Sequence, residues 1–273
     1  MKADRVVTST LLGLTRSLGR ALVSEQVARQ RGLLQSLDPR VRVAGLFGLV
    51  LAVTLSHRIG VVLWLFCVAV MIALLSKVSV ATLVTRVWLV ALLFTGVIAL
   101  PALFLTPGDP IFLMSGGAIH MTSQGVSTAL LLIARVETAV TLTTILVLCT
   151  PWMQVLKALR AFYIPKEVVM MLAMTQRYIF VLAETASQMF ESRQSRTVGL
   201  QPERDQRLMT TRTSGVLLSK SLGISNDVYL AMQSRGFRGE VKILTEFHMR
   251  TWDYAGLLVF VAGAGFAVWM GRP

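Results

Sequence analysis

The sequence predicts an all-α, polytopic membrane protein with about five transmembrane helices and long amphipathic cytoplasmic helices. Three observations carry that expectation. Of the 273 residues, 54% are hydrophobic and only 15% are charged, against roughly 25% charged in soluble domains. The apolar residues gather into five runs, most near the ~17–25 residues that span a bilayer. The cations are segregated: with a net charge of +13, they crowd some links and avoid others, which is how orientation is set in a membrane. That segregation accounts for the basic balance without a nucleic-acid partner.

Residues 1–40 form a basic amphipathic segment. In "TSTLLGLTRSLGRALV", Leu11, Leu14, Leu18 and Leu22 recur at helical spacing, while Arg16 and Arg20 interrupt any signal-peptide core. The spacing suits a helix lying on the membrane surface; an unstructured tail is the plainer alternative.

Residues 41–149 read as four transmembrane helices: Val41–Ser56, Ile59–Leu75, Val87–Leu105 with a kink expected at Pro101, and Val126–Cys149. The first is short, and Arg42 and Arg58 are placed to snorkel from its two ends. Arg135 and Glu137 fall inside the fourth run. A charge at that depth costs about 2.5–3.5 kcal/mol or more. Two residues apart on a helix, they do not face each other. Each is expected to pair with another helix or a partner protein in a structural role. Cys67 and Cys149 read as small buried hydrophobes. The link Thr106–Gly125 holds no Lys or Arg. Its Met114, His120 and Met121 are types that touch transition metals, but their spacing is that of an ordinary loop and no metal site is expected.

Residues 150–251 are too polar for spans and too patterned for a loop. "PWMQVLKALRAFYI" carries Trp152, Val155, Leu156, Leu159 and Phe162 on one face, as an interfacial helix would. From Pro165 a long helix follows, with Val168, Met171, Leu172, Ile179, Leu182, Ala186 and Met189 at helical spacing. The breaker "TVGLQPERDQ" separates it from a second helix, "LLSKSLGISNDVYLAMQSR", in which Leu218, Leu222, Tyr229 and Met232 share a face. Gly236 is the expected C′ residue, with Phe237 packing back on the helix. Methionines such as Met170, Met171, Met174 and Met232 suit adaptable contacts. Residues 252–273 form the last span, Trp252–Met270. With the N-terminus inside and five spans, the C-terminus lies outside, and only Arg58 and Arg272 lie there with it.

Each long helix ends on a similar phrase, "QSRTVG" at Gln194–Gly199 and "QSRGFRG" at Gln233–Gly239. One arginine at a helix end has a plain use, capping the last carbonyls. Two, each between small residues, suit helix tips that enter grooves on a two-fold partner.

The stretches "LDPRVRV", "CTPWMQVLKALRAFYIPKEVVMMLAMTQRYIFVLAETASQM", "SRTVG" and "SKSLGISNDVYLAMQSRGFRGE", with an Asp253-Tyr254 start to the last span, resemble the transmembrane T component of energy-coupling factor transporters. The resemblance is to the CbiQ-type cobalt and nickel branch and runs from about Leu37 to the last span. It implies a scaffold in a bacterial inner membrane whose coupling helices dock on a pair of ABC-type ATPase subunits and pass motion to a membrane S component that binds substrate. It implies no catalysis and no cofactor, in keeping with the lack of a phosphate-cradling Gly-Lys-Ser/Thr loop. Carried onto this chain, the first docking motif is Ser195, Arg196 and Thr197, and the second is Ser234, Arg235 and Gly236. Thr197 departs from the usual glycine, and Arg193 is a fallback contact. The segment before Leu37 receives no role. The same scaffold serving a vitamin such as biotin, a membrane-embedded enzyme and a membrane anchor without transport are the competing readings.

Overall fold

The computed structural model describes residues 32–78, 80–106, 110–113, 120–196, 203–237 and 251–272. They are helical apart from one short hairpin, so the all-α expectation holds. The described residues divide into two compact units, one holding residues 159–237 and the other residues 32–158 together with the last helix.

The bundle unit begins with a single turn, α1 (Leu33–Ser36), and then α2 (Pro39–Leu55). Asp38 caps α2 by accepting the Arg40 N–H at 2.8 Å, and Pro39 supplies a ready-made first helical residue. Next come α3 (Ile59–Leu75) and α4 (Leu89–Leu105). The helical turn Val80–Leu83 and a π-helical turn, Val84–Trp88, lead into α4. Helix α4 runs unbroken through Pro101. The link after it is more than a loop: β1 (Pro110–Leu113) pairs antiparallel with β2 (His120–Thr122). The alternation across β1 is too short to stand out from a loop in the sequence. His120 and Met121 lie in β2, and Met114 lies outside the described residues.

Helix α5 (Ser123–Cys149) packs against α2, α3 and α4 and is the centre of the unit. Leu142, Ile145 and Cys149 on α5 join Val41, Leu46 and Val53 of α2 and Val62, Leu65 and Ala69 of α3 in one core. Helix α9 (Thr251–Met270) lies along α2. They meet closely at Gly45, where an added Cβ would sit 2.5 Å from the Phe260 ring. The outward residues are equally apolar: Leu93, Phe94, Val97 and Ile98 of α4 are all exposed. An apolar exterior around an apolar core is the mark of a bundle solvated by lipid. Helices α5 and α9 are long and apolar enough to cross a membrane, as is Lys166–Arg193 in the other unit; Ile59–Leu75 and Leu89–Leu103 are shorter apolar helices.

The second unit holds the end of α6 (Trp152–Ala161), then α7 (Lys166–Arg196) and α8 (Glu203–Ser234). Helix α8 starts well before the second helix read from the sequence. Gly215 and the polar run ahead of it do not stop it, because a solvent-facing helix tolerates both at a modest cost. The apolar stripe of α7 is largely outward: Val168, Met171 and Ile179 are exposed, while Val169, Ala186 and Ser187 are buried. Two helices share a single seam and cannot cover all of their apolar surface.

Candidate functional site

Helices α7 and α8 run antiparallel. Arg193, near the end of α7, donates from Nη1 to the Met209 carbonyl near the start of α8 at 3.5 Å. At the other end, Met170, Met174 and Leu182 of α7 face Ser221, Val228, Met232 and Phe237 across a groove. A helix of 31 residues is about 46 Å long at 1.5 Å per residue. The antiparallel course therefore carries Arg196 and Arg235 to opposite ends of the pair, roughly 40 Å apart.

The second tip is built as the sequence indicates. Gly236 has φ +77°, where a Cβ would be strained. The Phe237 N–H reaches the Met232 carbonyl at 3.0 Å and the Gly236 N–H reaches the Gln233 carbonyl at 2.9 Å. These are the two bonds of a Schellman motif, and Phe237 folds into the groove beside Met232. The Ser234 hydroxyl turns back onto the Ala231 carbonyl at 3.0 Å. The helix end thus satisfies its own carbonyls and leaves Arg235 exposed, its guanidinium without a hydrogen-bond or ion-pair partner among the described residues.

At the first tip, Ser195 donates to the Ser192 carbonyl at 2.9 Å, and Arg196, the last residue of α7, is exposed. Thr197 lies outside the described residues. Arg193 is half-buried and bonded to α8, so it braces the helix pair. Neither tip guanidinium bonds the last carbonyls, so neither side chain serves as a cap among the described residues.

The bundle unit uses its charges differently. Arg135 donates from Nη2 to the Ser56 carbonyl at 2.7 Å, tying α5 to the end of α2. Glu137 is buried, and neither carboxylate oxygen has a hydrogen-bond partner among the described residues. The pair is brought to α5 but not to each other.

Arg42 does not snorkel: it is 3% exposed. Its Nε and Nη2 donate to the Leu37 carbonyl at 3.0 and 2.7 Å. Nη2 also reaches the Gln35 carbonyl at 3.2 Å, and Nη1 reaches the Cys149 carbonyl at 3.0 Å. One guanidinium therefore ties the end of α5 to the turn before α2. Beside it, the Asp38 N–H donates to Asp253 Oδ1 at 2.7 Å, fastening the start of α9. The "LDPRVRV" phrase and Asp253 were visible in the sequence, but their meeting across 215 positions was not. Among the described residues no three His, Cys, Asp or Glu side chains gather as metal ligands. Arg58 is exposed.

The sequence profile of the CbiQ family, described as cobalt transport protein, matches residues 30–245. Over 258 residues the chain is 28% identical to an uncharacterized protein of Methanocaldococcus jannaschii, covering 93% of this chain and 88% of that one. It is 28% identical over 203 residues to the cobalt transport protein CbiQ of Rhodobacter capsulatus, covering 74% and 78%. It is 22% identical over 256 residues to the energy-coupling factor transporter transmembrane protein EcfT of Listeria innocua, covering 87% and 93%.

Proposed function

The chain belongs to the CbiQ family of cobalt transport proteins, and on that premise we propose that it is the scaffold of an energy-coupling factor importer. In this reading it couples ATP hydrolysis by two ABC-type ATPase subunits to the reorientation of a substrate-binding S component. It performs no chemistry itself. Cobalt is the cargo, in keeping with the names of the family and of the Rhodobacter relative, with nickel as the second ion implied by the resemblance noted in the sequence.

The observation that carries the reading is the pair of exposed arginines, their guanidiniums without partners among the described residues, at opposite ends of an antiparallel helix pair. A guanidinium fork in that state is free to engage carboxylates or carbonyls on another protein. Two tips roughly 40 Å apart suit two copies of a subunit better than one. The two subunits would then be moved together through a rigid helix pair.

The charge pattern supports an N-terminus and polar helices in the cytoplasm of a bacterial inner membrane, with the C-terminus outside. Helix α7 stays on the cytoplasmic side in this reading although it is apolar enough to cross. Arg177 and Glu184 lie exposed along it, and each would cost about 2.5–3.5 kcal/mol at membrane depth.

The test is accumulation of radiolabelled cobalt and nickel by cells expressing the chain with its ATPases and S component. Uptake is expected to need the chain and to collapse in Arg235→Glu at unchanged membrane abundance. Full uptake by that variant would contradict the coupling role.

A further inference from the structure

At the end of the bundle remote from Arg42, the backbone gathers three cations. Arg135 donates from Nη2 to the Ser56 carbonyl at 2.7 Å, and the next N–H, that of His57, donates to the Gly271 carbonyl at 2.9 Å. The fit leaves no room for a side chain at 271, where an added Cβ would stand 2.7 Å from Ser56 Oγ. Arg58 and Arg272 are each one residue beyond the second bond, which holds their Cα atoms within about 11 Å of each other. Both are exposed, as is His57. Arg135 keeps a buried Nε without an acceptor among the described residues. The described carboxylates of the bundle do not offset this charge. Asp38 and Asp253 meet at the other end, and Glu137 lies off the Arg135 face of α5.

The depth of the patch follows from the helices that carry it. Ser56 is 18 residues from Asp38, and Gly271 is 18 residues from Asp253. Each path is about 27 Å of helix, close to the ~30 Å thickness of a bilayer's hydrocarbon core. With the Asp38–Asp253 contact at one headgroup level, the cations stand at the other. The aromatic residues agree. Trp64 on α3 and Trp269 on α9 are exposed on the span side of the patch, and Trp64 meets Phe266 edge-on with centroids 5.7 Å apart. Tryptophans of this kind mark the membrane interface.

We propose that this patch binds an acidic phospholipid, with Arg58 and Arg272 on the headgroup phosphate and the acyl chains along Trp64 and Phe266. Two guanidinium forks suit the phosphate oxygens, and Arg135 adds a fixed charge behind them. Helix α3 begins at the patch without a side-chain cap, so its first-turn N–H groups add to the same positive field. A free phosphate would leave the aromatic wall unused, and a zwitterionic lipid would leave the cations uncompensated. The patch lies in the bundle, so the inference is independent of what the helix tips dock against.

The test is photolabelling of the full chain in phosphatidylcholine vesicles that carry a trace of acyl-chain diazirine probe, either phosphatidylglycerol or phosphatidylcholine. Peptide mapping is expected to find severalfold more label around Trp64 and Phe266–Trp269 from the phosphatidylglycerol probe. Arg58→Gln/Arg272→Gln should abolish that excess, and Arg58→Lys/Arg272→Lys should keep part of it. Arg135 is left in place because it holds Ser56. Leu258, exposed near the other end of α9, is the internal reference, and its labelling should be the same in parent and variant. An excess that survives in the glutamine variant would overturn the proposal. So would equal labelling of the parent by the two probes, which would point to an acidic protein segment as the counter-charge. Loss of the excess on adding inorganic phosphate, at an ionic strength where chloride leaves it intact, would also overturn it, since the patch would then take the anion and not the lipid.

Discussion

The two units use arginine in opposite ways. In the bundle, Arg42 is buried and spends all three of its nitrogens on four contacts to the carbonyls of Gln35, Leu37 and Cys149. Arg135 similarly holds the end of α2. In the helix pair, Arg196 and Arg235 end their helices exposed, and at the second tip the last carbonyls are already satisfied by the backbone. A buried arginine closes a fold, because its removal strands several carbonyls at once. An exposed arginine on a finished helix end contributes little to the fold and is available to a partner. Burial and partners, not residue type or position near a helix end, separate the two roles.

The sharpest way to break the comparison is to empty the Arg42 site. Arg42→Leu leaves the α5 carbonyl and the α2 entry turn without their donor, and a loss of about 3 kcal/mol is expected. Unfolding of the purified protein in detergent, followed by Trp fluorescence, would measure it. Arg42→Lys should recover only part, since an ammonium cannot reproduce the fork. A variant as stable as the parent would remove the structural half of the comparison.

Next in size is the contact that brings α9 onto α2. Gly45→Val places carbon where the Phe260 ring stands and should cost about 1–3 kcal/mol by overpacking. Adding Phe260→Ala should return part of that loss, and a double-mutant cycle would read the coupling. Strict additivity would mean that the close approach is not energetically significant.

For the tips, stability should hardly move. Arg235→Glu and Arg196→Glu are expected to stay within about 0.5 kcal/mol of the parent, while cobalt uptake falls steeply in the first and less in the second. The smaller effect at Arg196 follows from its motif, where Thr197 stands in place of the glycine that ends the other tip. An equal or larger loss at Arg196 would reverse that ranking.

The smallest effect concerns a helix end that the sequence hid. Lys77 follows α3 at φ 57°, with the Val78 N–H on the Ala73 carbonyl at 3.0 Å and the Lys77 N–H on the Leu74 carbonyl at 3.1 Å. This is the same Schellman geometry as at Gly236, with lysine where glycine is preferred. Lys77→Gly should therefore stabilise the bundle by about 0.5–1 kcal/mol. The same fluorescence assay would detect the gain.

What the sequence made legible follows from the period of each signal. Apolar runs of span length identified α2, α3, α4, α5 and α9 to within a few residues, and Gly236 marked its cap because glycine favours positive φ. The Lys77 cap carried no such mark. Helix α8 was cut short because Gly215 and its polar surroundings weaken the apolar period without breaking the helix. The hairpin between α4 and α5 is too brief to show an alternation. Arg42 looked like a surface charge near a span end, because nothing local tells that the carbonyls of Cys149 and Leu37 converge on it. The tip arginines were legible as a repeated phrase. Their position at opposite ends of the pair required the antiparallel course of α7 and α8.

The most direct measurement is retention of the ABC-type ATPase subunits by the tagged chain in mild detergent, for the parent and for Arg196→Glu/Arg235→Glu. The parent is expected to hold the ATPases, and the double variant to lose them while keeping its own unfolding midpoint. Equal retention by both proteins, at equal stability, would contradict the claim that the exposed arginines are the docking tips.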